Sequence, residues 1–213
     1  LFAQANTFVS LEETTKELQP YMLMDAWQHE IQTPPLTREI LMQSLEAARA
    51  YYLNQQKTDG NFKYLLDLTD GKTSDDDNQV RQAGAIWGLS CLNRDFFNEP
   101  TRRALLLGFD FFIQNIKTLP TGETVIVYPG EKNLNSGTVA LFCLALTDFL
   151  SGQDKYLDQN TKDKYRRILF THLNFLRTME LDDGSWSRAY ELSSGIRKPI
   201  SSSYYDGETL LAY

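Results

Sequence analysis

A glycine-centred turn recurs along this chain at one fixed spacing, and no other feature constrains the fold as much. The copies are Asp59-Gly60-Asn61-Phe62, Thr121-Gly122-Glu123-Thr124 and Asp183-Gly184-Ser185-Trp186, with successive glycines 62 residues apart. Each turn follows an aromatic-rich segment of helical periodicity and precedes a polar loop. A second helical segment, rich in small residues, follows that loop. A unit of two helices repeated at this period predicts an array of helical hairpins.

The first helix of each unit reads as amphipathic. In unit one it starts at Thr37, an N-cap, and runs to about Gln56, with Leu41, Leu45, Ala48 and Tyr52 along one face. Residues 101–117 repeat the pattern with Leu105, Phe109, Phe112 and Ile116, and residues 162–179 form the third copy. Glycine ends these helices because it alone takes the left-handed conformation cheaply. Residues 62–65 and 124–128 read as short extended pieces. The second helices, at 78–93, 136–150 and from about Asp206 onward, are apolar over most of their circumference, so burial nearly all round is expected.

Aligning Gln82-Ala83-Gly84, Asn135-Ser136-Gly137 and Tyr205-Asp206-Gly207 puts one glycine at the same place in each second helix. A helical glycine costs about 1 kcal/mol against alanine, so the alignment predicts close backbone packing at that level. Amphipathic first helices and apolar second helices imply an outer and an inner layer. Residues 1–36 form a separate lead-in, partly helical over 11–24 but interrupted by Pro20 and ended by Pro34-Pro35. Residues 37–213 form the hairpin domain.

Charge and composition exclude several function classes. The net charge of −7, with lysines and arginines scattered, opposes a nucleic-acid surface. No apolar run approaches the ~18 residues of a membrane span. Cys91 and Cys143 fall within second helices and read as buried small hydrophobes. Neither the cysteines nor His29 and His172 have zinc-site spacing, so no metal and no cofactor is expected. Ala3-Gln4-Ala5 matches the end of a secretory signal and hints at export.

An aromatic helix, a D-G-x-[FW] turn, a loop and a glycine-bearing inner helix together resemble the α/α toroids, which include the six-hairpin glycosidases, sugar epimerases and terpenoid cyclases. Residues 75–84, Asp-Asp-Asp-Asn-Gln-Val-Arg-Gln-Ala-Gly, and 203–208, Ser-Tyr-Tyr-Asp-Gly-Glu, resemble two landmarks of bacterial toroid proteins. The resemblance covers about 37–213 and implies an all-α toroid. Thr73-Ser74-Asp75-Asp76-Asp77 departs from the D-x-D-D acid motif of squalene cyclases, and the zinc ligands of prenyltransferases are not visible. What remains is the carbohydrate-active members, which implies a saccharide ligand. A closed ring needs about six hairpins, so a partial ring is expected, either within a longer natural chain or closed by self-association through exposed inner helices.

The polar residues just ahead of each inner helix are the candidates for a site, because these junctions rim a toroid's cavity. Asp76 and Asp77, with Asp75, crowd carboxylates at a helix N-terminus, where they read as an acid–base pair or as an N-cap. Asp206 and Glu208 hold the same place in unit three and complete the candidate catalytic set. Arg81 and Gln82, one turn into an apolar stretch, read as substrate contacts or, for Arg81, as a buried ion pair with an Asp. Trp186, Tyr204 and Tyr205 read as a sugar platform or as packing, and Glu123 as a solvated turn residue. The function expected is glycoside hydrolysis, lyase or epimerase chemistry at the inner-helix ends; the alternative is a non-catalytic scaffold that binds a protein or peptide.

Overall fold

The computed structural model describes residues 35–67, 69–153 and 155–213; the expectations for residues 1–34 lie outside the described residues. Two compact units, Leu1–Leu41 and Met42–Tyr213, divide the chain. In the first, Thr37 Oγ1 accepts the backbone N–H of Ile40 at 3.3 Å and opens helix α1 (Arg38–Gln55), as its N-cap position predicts.

The second unit continues with α2 (Gln79–Asp95), α3 (Glu99–Gln114), β1 (Ile116–Thr118), β2 (Thr124–Ile126), β3 (Asn133–Asn135), α4 (Ser136–Gln153), α5 (Gln159–Thr178), β4 (Ala189–Glu191), β5 (Ile196–Arg197) and α6 (Ser203–Ala212). The described residues are thus mostly helical, with two small sheets. Two outer helices start earlier than their apolar periodicity suggests, because polar caps precede it. Asn98 caps α3 by accepting from Thr101 N, with Pro100 in the first turn, and Asp158 caps α5 by accepting from Thr161 N. The third outer helix therefore begins at Gln159, not at 162, and α3 ends at Gln114, where residues 116–118 turn into a strand.

All three turn glycines have left-handed backbone: φ is 97° at Gly60, 99° at Gly122 and 84° at Gly184. A closing pair of backbone bonds recurs with them. Lys57, Leu119 and Leu181 each donate to the carbonyl four residues on and accept from the glycine N–H. Downstream, each hairpin makes a second left-handed turn, at Gly71, Gly130 and Gly195. Short strands lie between the two turns of hairpins two and three. In hairpin two, β1 pairs antiparallel with β2. In hairpin three, β4 pairs with β5 and also with β3 of hairpin two, so a three-stranded sheet joins neighbouring hairpins.

Helices α2 and α4 lie side by side and run parallel. Gln79 reaches Thr138 near their N-terminal ends, while Trp87 and Arg94 reach Asp148 near their C-terminal ends. Helix α6 flanks α4 on another side, with Tyr205 and Glu208 against Gly137. The outer helices α3 and α5 pack over α4 through an aromatic cluster: the ring of Phe109 meets Phe142, Phe149 and Tyr165 at 6.1, 5.1 and 5.7 Å. Phe109, Phe112, Phe142 and Phe149 are all fully buried, each worth roughly 1.5–3 kcal/mol of transfer energy.

Burial all round holds for α4 alone, where both sides and the outer face have neighbours. Helices α2 and α6 are one-sided: Arg81 and Gly88 of α2 are exposed, as are Tyr204, Leu210 and Leu211 of α6. In α1 the inward face is rotated from the expected one. Leu41 and Ala48 are exposed, whereas Arg49 is buried, donating to Glu46 and to the Phe96 carbonyl beyond the end of α2.

The shared inner-helix glycine is a coincidence of spacing. Phe62 N donates to Gln82 and Trp186 N donates to Asp206, 20 residues on in both cases, and each acceptor is the fourth residue after its N-cap, Asn78 or Ser202. Gln82 and Asp206 are therefore equivalent, so Gly84 and Gly207 are not. A Cβ at Gly84 would touch only Leu141 at 3.8 Å, and one at Gly207 would meet nothing within 4 Å. Only Gly137 is close-packed, and its neighbours are side chains rather than backbone. Cys143 is fully buried, as expected; Cys91 is half-buried and donates to Asp148 at 3.2 Å, and burial pushes its thiol up to about 11.

Candidate functional site

The N-terminal ends of α2, α4 and α6 and the loops before them share one face, and all nine sequence-derived candidates lie on those segments. The structure divides them into two groups.

Asp77 is the centre of a closed network. Its carboxylate accepts from Asn61 Nδ2 at 2.9 Å, Tyr128 OH at 2.6 Å, Gln82 Nε2 at 2.7 Å and Asn78 N at 2.7 Å. Four donors fill its lone pairs. Gln82 is buried and grips the backbone of Phe62 from both sides, accepting its N–H at 3.0 Å and donating to its carbonyl at 2.9 Å. Burial, then the bond to Asp77, raises the Tyr128 phenol. This network ties the first hairpin's turn to its inner helix and to the loop of the second. None of Asp75, Asp76 and Asp77 caps α2; Asn78 does, accepting from Arg81 N at 3.1 Å. Asp76 is exposed, with its backbone N–H bound to Ser74 Oγ.

The second group gathers at α6. Asp206 accepts the Trp186 N–H at 2.9 Å, as Gln82 does for Phe62. The Trp186 ring stacks on Tyr213 at 6.4 Å, and its buried Nε1 has no partner. Tyr205 and Glu208 lie over the first turn of α4: a Cβ at Gly137 would sit 2.5 Å from Tyr205 Cδ1 and 2.8 Å from Glu208 Oε2. That glycine makes room for both side chains. Glu208 is half-buried, its Oε2 is fully buried without a hydrogen bond, and burial raises its carboxyl. Burial raises the Tyr205 phenol too, and the Glu208 charge adds to this, whereas the guanidiniums of Arg188 and Arg81 oppose it. The structure therefore brings Arg81 of α2 within electrostatic reach of Tyr205 of α6. Arg81 is exposed and forms no ion pair among the described residues, so the expected buried Arg–Asp pair is not made. The face of α2 that carries Arg81 is open, so this cation is solvated and needs no partner. Tyr204 is 82% exposed.

Arg188 is the residue that sequence reasoning missed. It stands just ahead of β4, and its carbonyl accepts from Ser136 N at 3.1 Å. Only the β3–β4 pairing brings it to the α4 terminus. No motif marks it.

Two hollows lie outside this rim. One of about 160 Å³ is lined by Thr121, Glu123, Phe175, Thr178, Met179, Tyr190, Gly195 and Arg197. The other, about 390 Å³, is lined by Leu181, Asp182, Asp183, Arg197 and Pro199. Glu123 is thus not simply solvated: it is half-buried, with Oε2 fully buried and unpartnered. Among the described residues no three of His, Cys, Asp and Glu converge as a metal-ligand set, and no helix is long and apolar enough to cross a membrane.

Inner helices side by side, outer helices packed over them and short extended pieces between are also found in solved structures. A D-mannose isomerase superposes with a TM-score of 0.66 at 15% identity, over 84% of this chain and 46% of that one. A glycoside hydrolase of family 105 from C. acetobutylicum ATCC 824 gives 0.58 at 14% identity, over 90% and 54%. Both are six-hairpin glycosidase-like proteins. The fold is that of the α/α toroids. The chain spans about half the length of these toroid structures. No family model matches the chain, and no curated protein matches it. At these identities the likeness concerns the fold, and one fold hosts many chemistries.

Proposed function

We propose that this toroid chain is carbohydrate-active and binds a saccharide at the N-terminal ends of α2, α4 and α6. The observation that carries this reading is Glu208: a carboxyl whose buried oxygen has no partner, whose proton affinity is raised by burial, and whose charge acts on the Tyr205 phenol, as do the guanidiniums of Arg188 and Arg81. Perturbed groups of this kind mark functional sites, because an acid–base catalyst must hold its proton near the working pH. The two structural neighbours, an isomerase of a sugar and a glycoside hydrolase, support the substrate class.

In this reading Glu208 is the acid, and Asp76, exposed at the same end, is the second carboxylate. Asp77 and Asp206 hold the loops, and Gln82 serves Phe62. Tyr205 and Arg81 orient the sugar, with Tyr204 and Trp186 as apolar surface. Hydrolysis, elimination and epimerisation all use such an acid–base pair. The exposed Tyr204, Leu210 and Leu211 of α6 would carry the self-association of a partial ring.

The test is turnover and binding of neutral and acidic mono- and disaccharides by the full chain, alongside Glu208→Gln and Tyr205→Phe. Loss of roughly 100-fold or more in turnover by Glu208→Gln, with binding retained, is expected. If the parent neither binds nor converts any saccharide, or if Glu208→Gln turns over as the parent does, the reading fails.

A further inference from the structure

The smaller hollow has a lining that nothing at the rim uses. Its floor is apolar, made by Phe175, Met179 and Tyr190, all less than a tenth exposed. Its polar lining carries opposite charges, those of Glu123 and Arg197. These two do not form an ion pair, although they line the same space. Glu123 is half-buried, with Oε2 closed off from the hollow and without a donor, so the rest of its carboxylate is what faces the space. Arg197 is fixed at the C-terminal end of α5, where Nη1 donates to the Thr178 carbonyl at 3.0 Å and also to that of Glu180. Its Nε and Nη2 have no partner among the described residues. Thr121 Oγ1 and Tyr190 OH, 3.4 Å apart, add two hydroxyls to the wall.

A carboxylate and a guanidinium facing one hollow leave little net charge, so an ion of either sign gains from one group and loses to the other. A hydroxyl suits both, since it donates to a carboxylate and accepts from a guanidinium. Carbon-bound hydrogens suit the apolar floor. A molecule with several hydroxyls on a compact carbon ring meets all three demands.

From this we infer that the hollow between the second and third hairpin turns is a second binding site, and that it takes a neutral polyhydroxylated ring, a monosaccharide unit, bridged between Glu123 and Arg197. None of its residues belongs to the rim, so it stands or falls apart from the reading of Glu208. Arg197 also walls the larger hollow, which gives a second unit room beyond the first.

Met179 lies in this hollow, and the chain has 4 methionines, so methyl-labelled methionine NMR reads the site directly. The full chain is titrated with D-glucose, D-mannose and D-galactose, the Met179 signal being assigned through Met179→Leu. At least one sugar is expected to move that signal with millimolar affinity, and Glu123→Gln and Arg197→Lys each to weaken it about tenfold or more. Both variants keep the side-chain size, and their melting curves verify folding. Glu208→Gln is expected to leave the Met179 response unchanged. The inference is overturned if no sugar moves the Met179 signal at tens of millimolar, if both variants respond as the parent does, or if acetate or tetramethylammonium moves it while the sugars do not. Sugar binding that Glu208→Gln abolishes and Met179 never senses would uphold the rim and refute this second site.

Discussion

Hairpins one and three perform the same backbone task with different side chains, and the difference separates a structural junction from a chemical one. In both, the residue two positions after the turn glycine is held by a side chain from the inner helix, Gln82 for Phe62 and Asp206 for Trp186. In hairpin one the ionisable group at that contact is fully used: Asp77 takes four donors, Gln82 satisfies both the N–H and the carbonyl of Phe62, and only the neutral amide oxygen of Asn61 is left without a donor. In hairpin three the equivalent region leaves Glu208 Oε2 and Trp186 Nε1 buried without partners. An unpaired carboxylate oxygen costs more than an unpaired amide oxygen, so Glu208 at this level of the repeat points to a role other than stability.

The turns themselves give the largest expected contrast. Gly60 and Gly184 share a left-handed backbone, which costs any other residue roughly 1–2 kcal/mol. A Cβ at Gly60 would also lie 2.2 Å from the Leu107 carbonyl oxygen on the neighbouring hairpin, whereas one at Gly184 would meet nothing within 4 Å. Gly60→Ala is therefore expected to cost more than about 3 kcal/mol, as backbone must move, and Gly184→Ala only about 1–2. At roughly 2–4 °C per kcal/mol for a chain of this size, thermal melting resolves the two. Equal losses would show that hairpin one's turn is not wedged against α3.

How much of this was legible in the sequence depends on the physical cause of each feature. The turn glycines were legible because only glycine is cheap at positive φ, so the demand leaves a mark in composition. The outer-helix faces were legible for α3, where Leu105, Phe109 and Phe112 follow the helical period and are all buried. The N-caps Asn98 and Asp158 were not, because the first turn of each helix is polar and apolar periodicity starts a turn late. The three aligned inner-helix glycines misled: a helical glycine records its own neighbours, and of Gly84, Gly137 and Gly207 only Gly137 has close ones. At the candidate site Tyr205 and Glu208 could be placed from their position ahead of and within an inner helix. Arg188 and Arg197 could not, since the β3–β4–β5 sheet folds their segment back to its place and no short-range pattern encodes that pairing, and the burial of Glu123 in the β1–β2 turn depends on hairpin three in the same way.

Hairpin three also carries an acid-sensitive point. His172 of α5 is fully buried beside Phe142, with Nδ1 at 2.7 Å from the Ile168 carbonyl. A carbonyl accepts, so the proton sits on Nδ1 and Nε2 is a bare, buried lone pair without a donor. Burial lowers its pKa from 6.5 to about 4. The unfolded chain therefore takes up a proton as pH falls below 6.5 while the folded chain does not. The stability this represents is intact above pH 6.5 and declines by about 3 kcal/mol on reaching pH 4. His172→Phe removes this dependence. The difference in melting temperature between parent and variant should shift in the variant's favour from pH 7 to pH 4. A constant difference would mean that His172 is protonated in the fold or reaches water, and hydrogen exchange in α5 at pH 5 would show which.

The smallest effect tests the opening contrast most directly. Asp77→Ala strips the acceptor from Tyr128 OH and one acceptor each from Asn61 and Gln82, which keep Tyr128 OH and the Phe62 carbonyl respectively. The expected loss is about 2–3 kcal/mol, the cost of a buried donor left unmade in a charge-assisted network. Glu208→Gln removes a carboxylate that burial disfavours and that no donor rewards. Its raised pKa means that the folded state prefers the protonated form, so Glu208 opposes stability once pH rises through its folded pKa and has no effect well below pH 4.5. Near neutral pH Glu208→Gln should melt no lower than the parent, and near pH 3 it should match it. If instead Glu208→Gln destabilises as Asp77→Ala does, Glu208 has a hydrogen-bond partner in solution. The third junction would then be as structural as the first, and the carboxyl free for chemistry would have to be sought at Asp76.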